Sequence, residues 1–252
     1  LWVHLYDAHA PYQPPEPFAS RHPGRPYDGE IAEVDAQVGR LLAALGARQD
    51  AERTLVAVVA DHGEALGEHG EQTHGLLLYE PTIAVPWLLR APGLVSAGRT
   101  VSSPVSLADL APTLLGLLGL EPAPEGAPAV AGRNLAPELL AGREPGPADL
   151  YAETRYPATF GWSPLTAMRR GAIKYIAAPR PELYDLAADP AEHHNHHDAE
   201  PEKVRALAGI LERIGLGEVG GGSALDPAVR ARLEALGYVA SSSASTAGAA
   251  GE

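Results

Sequence analysis

The chain has 252 residues, a hydrophobic fraction of 45%, a charged fraction of 20% and a formal net charge of -13. That length can bury a substantial core, and the acidic balance excludes a general nucleic-acid binder, whose phosphate contacts need clustered Lys and Arg. No apolar run approaches the roughly 20 residues of a membrane-spanning helix, and the absence of cysteine removes disulfides, cysteine–zinc sites and any thiol nucleophile together.

Residues 1–6, Leu-Trp-Val-His-Leu-Tyr, are apolar and aromatic with no turn former, and predict a buried strand. Opening inside such a run, with no Met and no charged leader, predicts a fragment whose signal segment, if it has one, lies upstream. Residues 14–26 are Pro-rich and read as a loop. Asp28 then becomes a candidate N-cap for a helix ending near Gly46, because Ile31, Val34, Val38, Leu41, Leu42 and Leu45 recur at helical spacing. Residues 54–60 are β-branched and apolar throughout, which predicts a central parallel strand covered on both faces. A helix between two such runs makes a β-α-β unit, so the predicted class is α/β, with a mostly parallel central sheet flanked by helices.

Residues 85–90 form a further strand candidate. Residues 106–118 form a second amphipathic helix, with Leu107, Leu110, Leu114, Leu117 and Leu118 on one face. Residues 121–147 are dense in Pro, Gly and Ala and read as a long surface connection. Beyond it, short runs at 150–154, 167–169, 174–177 and 183–184, with a turn at Arg170-Gly171, predict a small antiparallel sheet on which a helix over 202–214 packs. After Gly215 the pattern loosens apart from a short helix at 227–236, and residues 241–252 read as disordered. The expected organisation is a catalytic α/β region over 1–149, an antiparallel subdomain over 150–215 and a loosely ordered tail over 216–252.

The chemistry concentrates in Asp61-His62-Gly63-Glu64-Ala65-Leu66-Gly67-Glu68-His69-Gly70-Glu71-Gln72-Thr73-His74-Gly75, directly after the apolar run. In open α/β sheets, ligand sites form outside the carboxyl ends of strands. A hard carboxylate oxygen and a borderline imidazole nitrogen side by side there suit a divalent cation. Asp61 capping a helix, with solvated histidines around it, is the plainer alternative. The glycines at 63, 67, 70 and 75 allow close approach of backbone to a ligand. No His-Glu-x-x-His or Gly-x-Ser-x-Gly occurs, which argues against a zinc protease and a serine hydrolase.

Asp61-His62-Gly63-Glu64 followed by Leu66-Gly67-Glu68-His69-Gly70 resembles the second metal-binding motif of sulfatases, within the alkaline phosphatase superfamily. Val3-His4-Leu5-Tyr6-Asp7-Ala8-His9-Ala10-Pro11-Tyr12 resembles the family's substrate-histidine loop, and Ser106-Leu107-Ala108-Asp109-Leu110-Ala111-Pro112-Thr113-Leu114-Leu115 one of its helices. Glu182-Leu183-Tyr184-Asp185-Leu186 and Asp189-Pro190-x-Glu192-x-x-Asn195 resemble its C-terminal subdomain.

The resemblance implies hydrolysis of small-molecule or saccharide sulfate esters outside the cytoplasm. It makes Asp61 and His62 ligands of one divalent ion, Ca2+ or Mg2+ ahead of Mn2+. The family's remaining ligands, and the Cys or Ser oxidised to formylglycine, are expected upstream. His9 and His74 are the implied catalytic residues and are also expected to contact substrate; His69, from its place in the motif loop, and Trp162, from a loop of the small subdomain, are further candidate substrate contacts. One departure concerns the lysine that many sulfatases place after this motif. Here His74-Gly75 stands in that region and no Lys occurs before Lys174, which keeps phosphodiesterases, phosphonate hydrolases and phosphoglycerol transferases as alternatives, beside a non-catalytic binding module. His193, His194, His196 and His197 look like a metal tract but follow Asp189-Pro190, and read as a solvated turn. Phe160-Gly161-Trp162 either lines a substrate pocket or plugs a loop.

Overall fold

The computed structural model describes residues 1–120 and 130–214; the helix expected at 227–236 and the tail beyond lie outside them. Residues 1–6 are not a buried strand: they form no regular element and have no ladder partner, and Leu1, Trp2, Val3 and Tyr6 are exposed. A strand needs a neighbour to take its backbone donors and acceptors, and among the described residues none pairs with this run.

The Pro-rich loop includes the short helix α1 (Phe18–Arg21) and leads into α2 (Pro26–Gly46). Asp28 is not the cap. Pro26 opens the helix, where a missing N–H costs nothing. Asp28 lies in the first turn, paired with Arg25 at 2.9 Å and favourably placed at the positive end of the helix. The apolar positions of α2 do recur at helical spacing, but Ile31, Leu41 and Leu42 remain exposed.

Strand β1 (Val56–Val59) pairs with β2 (Trp87–Arg90), in the register Val56 opposite Arg90. The pair is antiparallel, and no parallel pair occurs among the described residues. An apolar run records burial, not strand direction. Coverage on both faces is also incomplete, since Val59 and Leu88 are exposed. The connection carries the chemical motif and the short helix α3 (Glu80–Ile83). The second amphipathic helix arrives in two parts, a 3₁₀ turn Leu107–Asp109 followed by α4 (Leu110–Leu117). Ser106 caps the start with a reciprocal box through Asp109. The Pro-rich connection beyond it includes α5 (Ala136–Leu140), whose Pro137 stands at the helix start, the one place a helix tolerates it well.

The second sheet follows expectation closely. β3 (Asp149–Thr154), β4 (Leu165–Arg170), β5 (Ile173–Ala177) and β6 (Glu182–Asp185) form an antiparallel meander in sequence order. Its core of Leu165, Ala167, Ile176 and Tyr184 closes over Leu78, with Leu77, Tyr79 and Ile83 packed alongside. The segment after the motif is therefore fixed by the second sheet. Helix α6 (Pro201–Ile214) completes the described chain, and the class is α/β. By contacts the chain divides into Leu1–Gly209 and Ile210–Glu252, and the site lies wholly in the first unit. Among the described residues no helix is long and apolar enough to cross a membrane.

Candidate active site

β1 ends at Val59, and the chain turns out of the sheet at Asp61 and His62. The turn is tight because Gly63 is pressed against α3: its N–H donates to the Thr82 carbonyl at 2.8 Å, and a Cβ there would sit 2.1 Å from the Pro81 oxygen. Asp61 Oδ1 accepts the His62 backbone N–H at 3.0 Å and lies 3.8 Å from His62 Nε2. The two side chains thus face one point, and the Asp61 side chain is 67% exposed, open to a ligand.

His62, His74 and His9 gather there. The His62 and His74 rings stack at 3.9 Å, and His9 meets His74 edge-on at 5.6 Å. Each imidazole is held through Nδ1: His62 on the Gly63 carbonyl at 2.9 Å, His9 on the Ala10 carbonyl at 2.8 Å, His74 on Glu64 Oε1 at 3.1 Å. A carbonyl or carboxylate oxygen has no proton to offer, so Nδ1 carries the hydrogen and Nε2 is the nitrogen presented outward. For His62 that leaves a lone pair beside a carboxylate, the arrangement a metal-ligating histidine needs.

Buried acids build this arrangement, and the sequence pattern had not singled them out. The Glu64 side chain is 3% exposed and orients His74. Glu71, 4% exposed, accepts the Leu76 and Leu77 N–H groups at 2.7 and 3.2 Å and fixes the turn after His74. Glu30 on α2, 3% exposed, accepts from His9 N at 3.1 Å and Gln13 N at 2.5 Å, seating the His9 loop. Burial pushes the Glu30 carboxyl above the usual carboxylate range, against the two N–H donors that lower it. The Tyr12 phenol is raised likewise, by burial and then by Glu64 beside it. Glutamates amid glycine and polar loop residues gave the only hint in the sequence; acids of that kind are often the acceptors for loop N–H groups.

Two expected site residues stand apart. His69 stacks on Tyr79 at 3.6 Å and its Nε2 meets the Ala191 carbonyl at 3.1 Å, so it pins the motif loop to the turn after β6 instead of joining the imidazole cluster. Trp162 lies beyond β3, 62% exposed. In the turn after β6, His194 Nδ1 lies 3.4 Å from Asp189 and His197 Nδ1 lies 2.8 Å from Asp198. Among the described residues no group of three or more His, Cys, Asp or Glu side chains is placed to hold a metal ion. Asp61 and His62 are two donors of suitable chemistry on one side of a coordination sphere that needs four or more.

An open cavity of about 1430 Å³ includes Asp61, His62, His74 and Thr154 in its wall. Fold and site together describe an α/β protein with a carboxylate–imidazole pair and a further imidazole, His74, in the wall of a cleft, and with the His9 ring edge-on to His74. The sulfatase family model matches residues 1–120, and the model for the C-terminal region of N-sulphoglucosamine sulphohydrolase matches residues 67–213. The chain belongs to the sulfatase family.

Arylsulfatase K of Gallus gallus is 31% identical over 198 residues, covering 75% of this chain and 36% of that protein. A solved complex with the substrate D-glucosamine-2-N,6-O-disulfate is 30% identical, with a TM-score of 0.66 over 75% of this chain and 40% of that one. The phosphonate monoester hydrolase of Agrobacterium radiobacter is 32% identical, with a TM-score of 0.60 over 75% and 40%. The chain spans about a third of the length of the curated relatives it matches.

Proposed function

We propose that the protein hydrolyses sulfate monoesters, with Asp61 and His62 contributing two ligands to a divalent ion, Ca2+ or Mg2+ ahead of Mn2+. The observation that carries the reading is the convergence of Asp61 Oδ1 and His62 Nε2, 3.8 Å apart, beside the Nε2-presenting rings of His9 and His74. When bound, the ion supplies positive charge against the anionic oxygens of the ester. A formylglycine, which the family resemblance implies, supplies the attacking oxygen; the chain contains no Cys-x-Pro-x-Arg or Ser-x-Pro-x-Arg.

The chain's own residues hold and move protons. His74, anchored by Glu64 through Nδ1–H, acts as the imidazolium and donates its second N–H, at Nε2, to a sulfate oxygen where charge grows in the transition state. His9, anchored on Ala10 through Nδ1–H, acts as the imidazolium, protonated on both nitrogens, and gives its Nε2 proton to the departing alcohol oxygen as the S–O bond breaks. Overall one water is consumed, the attacking group is regenerated, and the products are the free alcohol and sulfate. The complex of a similar protein with a glucosamine disulfate supports a saccharide sulfate as one substrate class.

The test uses the intact protein and 4-nitrophenyl sulfate. Asp61→Ala should lower kcat/KM by about 100-fold or more and release the bound divalent ion, read by elemental analysis. Unchanged metal content with unchanged turnover would end the reading. A second reading, hydrolysis of phosphonate or phosphate esters, is favoured by His74 standing where many sulfatases carry lysine and by the 32% identity to a phosphonate monoester hydrolase. A higher kcat/KM for 4-nitrophenyl phenylphosphonate than for the sulfate would select it.

A further inference from the structure

β3 delivers more than a wall to the cleft. Its last residue, Thr154, donates its hydroxyl to the Gly75 carbonyl, next to His74. Tyr156 follows, with its ring carbon Cδ1 at 3.4 Å from where a Cβ of Gly75 would be, and Gly75 has φ +98. Glycine is thus needed there twice, for its backbone conformation and to admit the ring. Phe160 meets Tyr156 edge-on at 5.3 Å, and Trp162 lies 5.8 Å beyond Phe160.

The three rings are 51%, 56% and 62% exposed, so none of them plugs the loop. Nor is the loop slack. Pro157 is buried, the Thr159 hydroxyl donates to the Tyr156 carbonyl at 2.7 Å, and the Trp162 N–H donates to the Pro157 carbonyl at 3.1 Å. Beside them Glu153 and Arg155 lie 3.6 Å apart and offset each other. A run of exposed aromatic rings held by a firm backbone, starting where Tyr156 meets Gly75 next to His74 and lying beside the cavity wall that Glu153 and Thr154 form, is the kind of surface on which a ring binds.

We propose that Tyr156, Phe160 and Trp162 form the subsite for the alcohol portion of the ester, and that this portion presents an uncharged, apolar ring face. An aryl group and a pyranose share that chemistry. The inference rests on the sulfatase reading and deepens it: His74 fixes the sulfate end, and the ladder fixes where the alcohol goes.

The experiment compares the intact protein with Phe160→Ala and Trp162→Ala on 4-nitrophenyl sulfate, glucose 6-sulfate and methyl sulfate. The ratio of kcat/KM for a ring-bearing ester to that for methyl sulfate should fall about 5- to 10-fold in each variant, mainly through KM, and Trp162→Phe should restore most of it. The ring ester with the larger fall identifies the source. Ratios unchanged within about twofold on both ring esters would overturn the subsite. Should the wild type turn over no sulfate ester, the sulfatase reading has failed, and the subsite is judged by saturation-transfer NMR with 4-nitrophenol and glucose. Binding to the wild type that is lost in Trp162→Ala upholds it; no binding, or binding equal in the variant, overturns it.

Discussion

Glu64 shows how much of this site is decided one carboxylate away from the reacting groups. It lies two residues after the cation-ready pair, yet its side chain turns inward, is 3% exposed, and holds His74 by Nδ1. Removing its charge while keeping its size should loosen the His74 ring and weaken any positive charge that ring develops. Glu64→Gln is expected to lower kcat on 4-nitrophenyl sulfate by about 10- to 100-fold, the usual effect of losing an orienting partner. Bound metal, read by elemental analysis, should be unchanged, because Asp61 and His62 keep their own anchors. Equal loss of metal and turnover would show that Glu64 supports the whole motif loop and has no particular tie to His74. At this scale the sequence was legible where chemistry is compact: His9, Asp61, His62 and His74 were named from motif and position, and the structure brings them together. Glu30, Glu64 and Glu71 were not, because a glutamate's burial depends on backbone donors that only a folded loop assembles. His69 was drawn in by neighbourhood alone, while its φ of +54 turns it out towards Tyr79 and Ala191.

Among the elements, the firmest junction is ionic. Lys174 on β5 is fully buried, with Nζ at 2.7 Å from Glu192 and 3.1 Å from Glu80, while Arg169 on β4 reaches Glu80 at 2.8 Å. Glu192 also accepts the Glu80 backbone N–H at 2.7 Å, so α3, β4, β5 and the turn after β6 share one charge network. Since α3 is also the element against which Gly63 is pressed, this network sets where the metal motif leaves the sheet. Breaking it by Lys174→Met takes the ammonium from the buried Glu192 carboxylate and leaves Glu80 with Arg169. The expected cost is about 3–5 kcal/mol in urea unfolding, and Lys174→Met with Glu192→Leu should recover part of it. A loss below about 1 kcal/mol would mean that solvent reaches the carboxylates after all. The meander β3 to β6 was legible to within two residues, because each strand is short, alternates with turn formers and finds its partner next in sequence. The direction of β1 was not legible. Apolar content reports that a strand is covered, while direction depends on where the chain returns, and here it returns antiparallel as β2 after the motif loop and α3.

Across the described residues, apolar surface remains exposed in several elements at once. Trp2 is 89% exposed and Leu88 61%, while Ile31, Leu41, Leu42 and Val59 lie between 36% and 45%. The cavity of about 1430 Å³ that reaches Asp61 and His62 is also lined by Ile31, Val38, Leu42, Val56 and Leu88. That volume exceeds the ~300–1,000 Å³ of ordinary ligand pockets, and its apolar wall is of the kind α/β folds cover with further strands and helices. Asp61 and His62 line the same space. On the proposed function, further ligands for the ion would enter through that space, and the structure carrying them would cover the apolar wall. Produced by itself, the 252-residue chain should bind a hydrophobic dye such as anilinonaphthalene sulfonate with a clear rise in fluorescence, and should hydrolyse 4-nitrophenyl sulfate no faster than buffer in the presence of Ca2+ or Mg2+. A chain that stays dye-silent and monomeric would show that water satisfies this surface. Metal-dependent turnover by it would show that the two ligands and two histidines suffice.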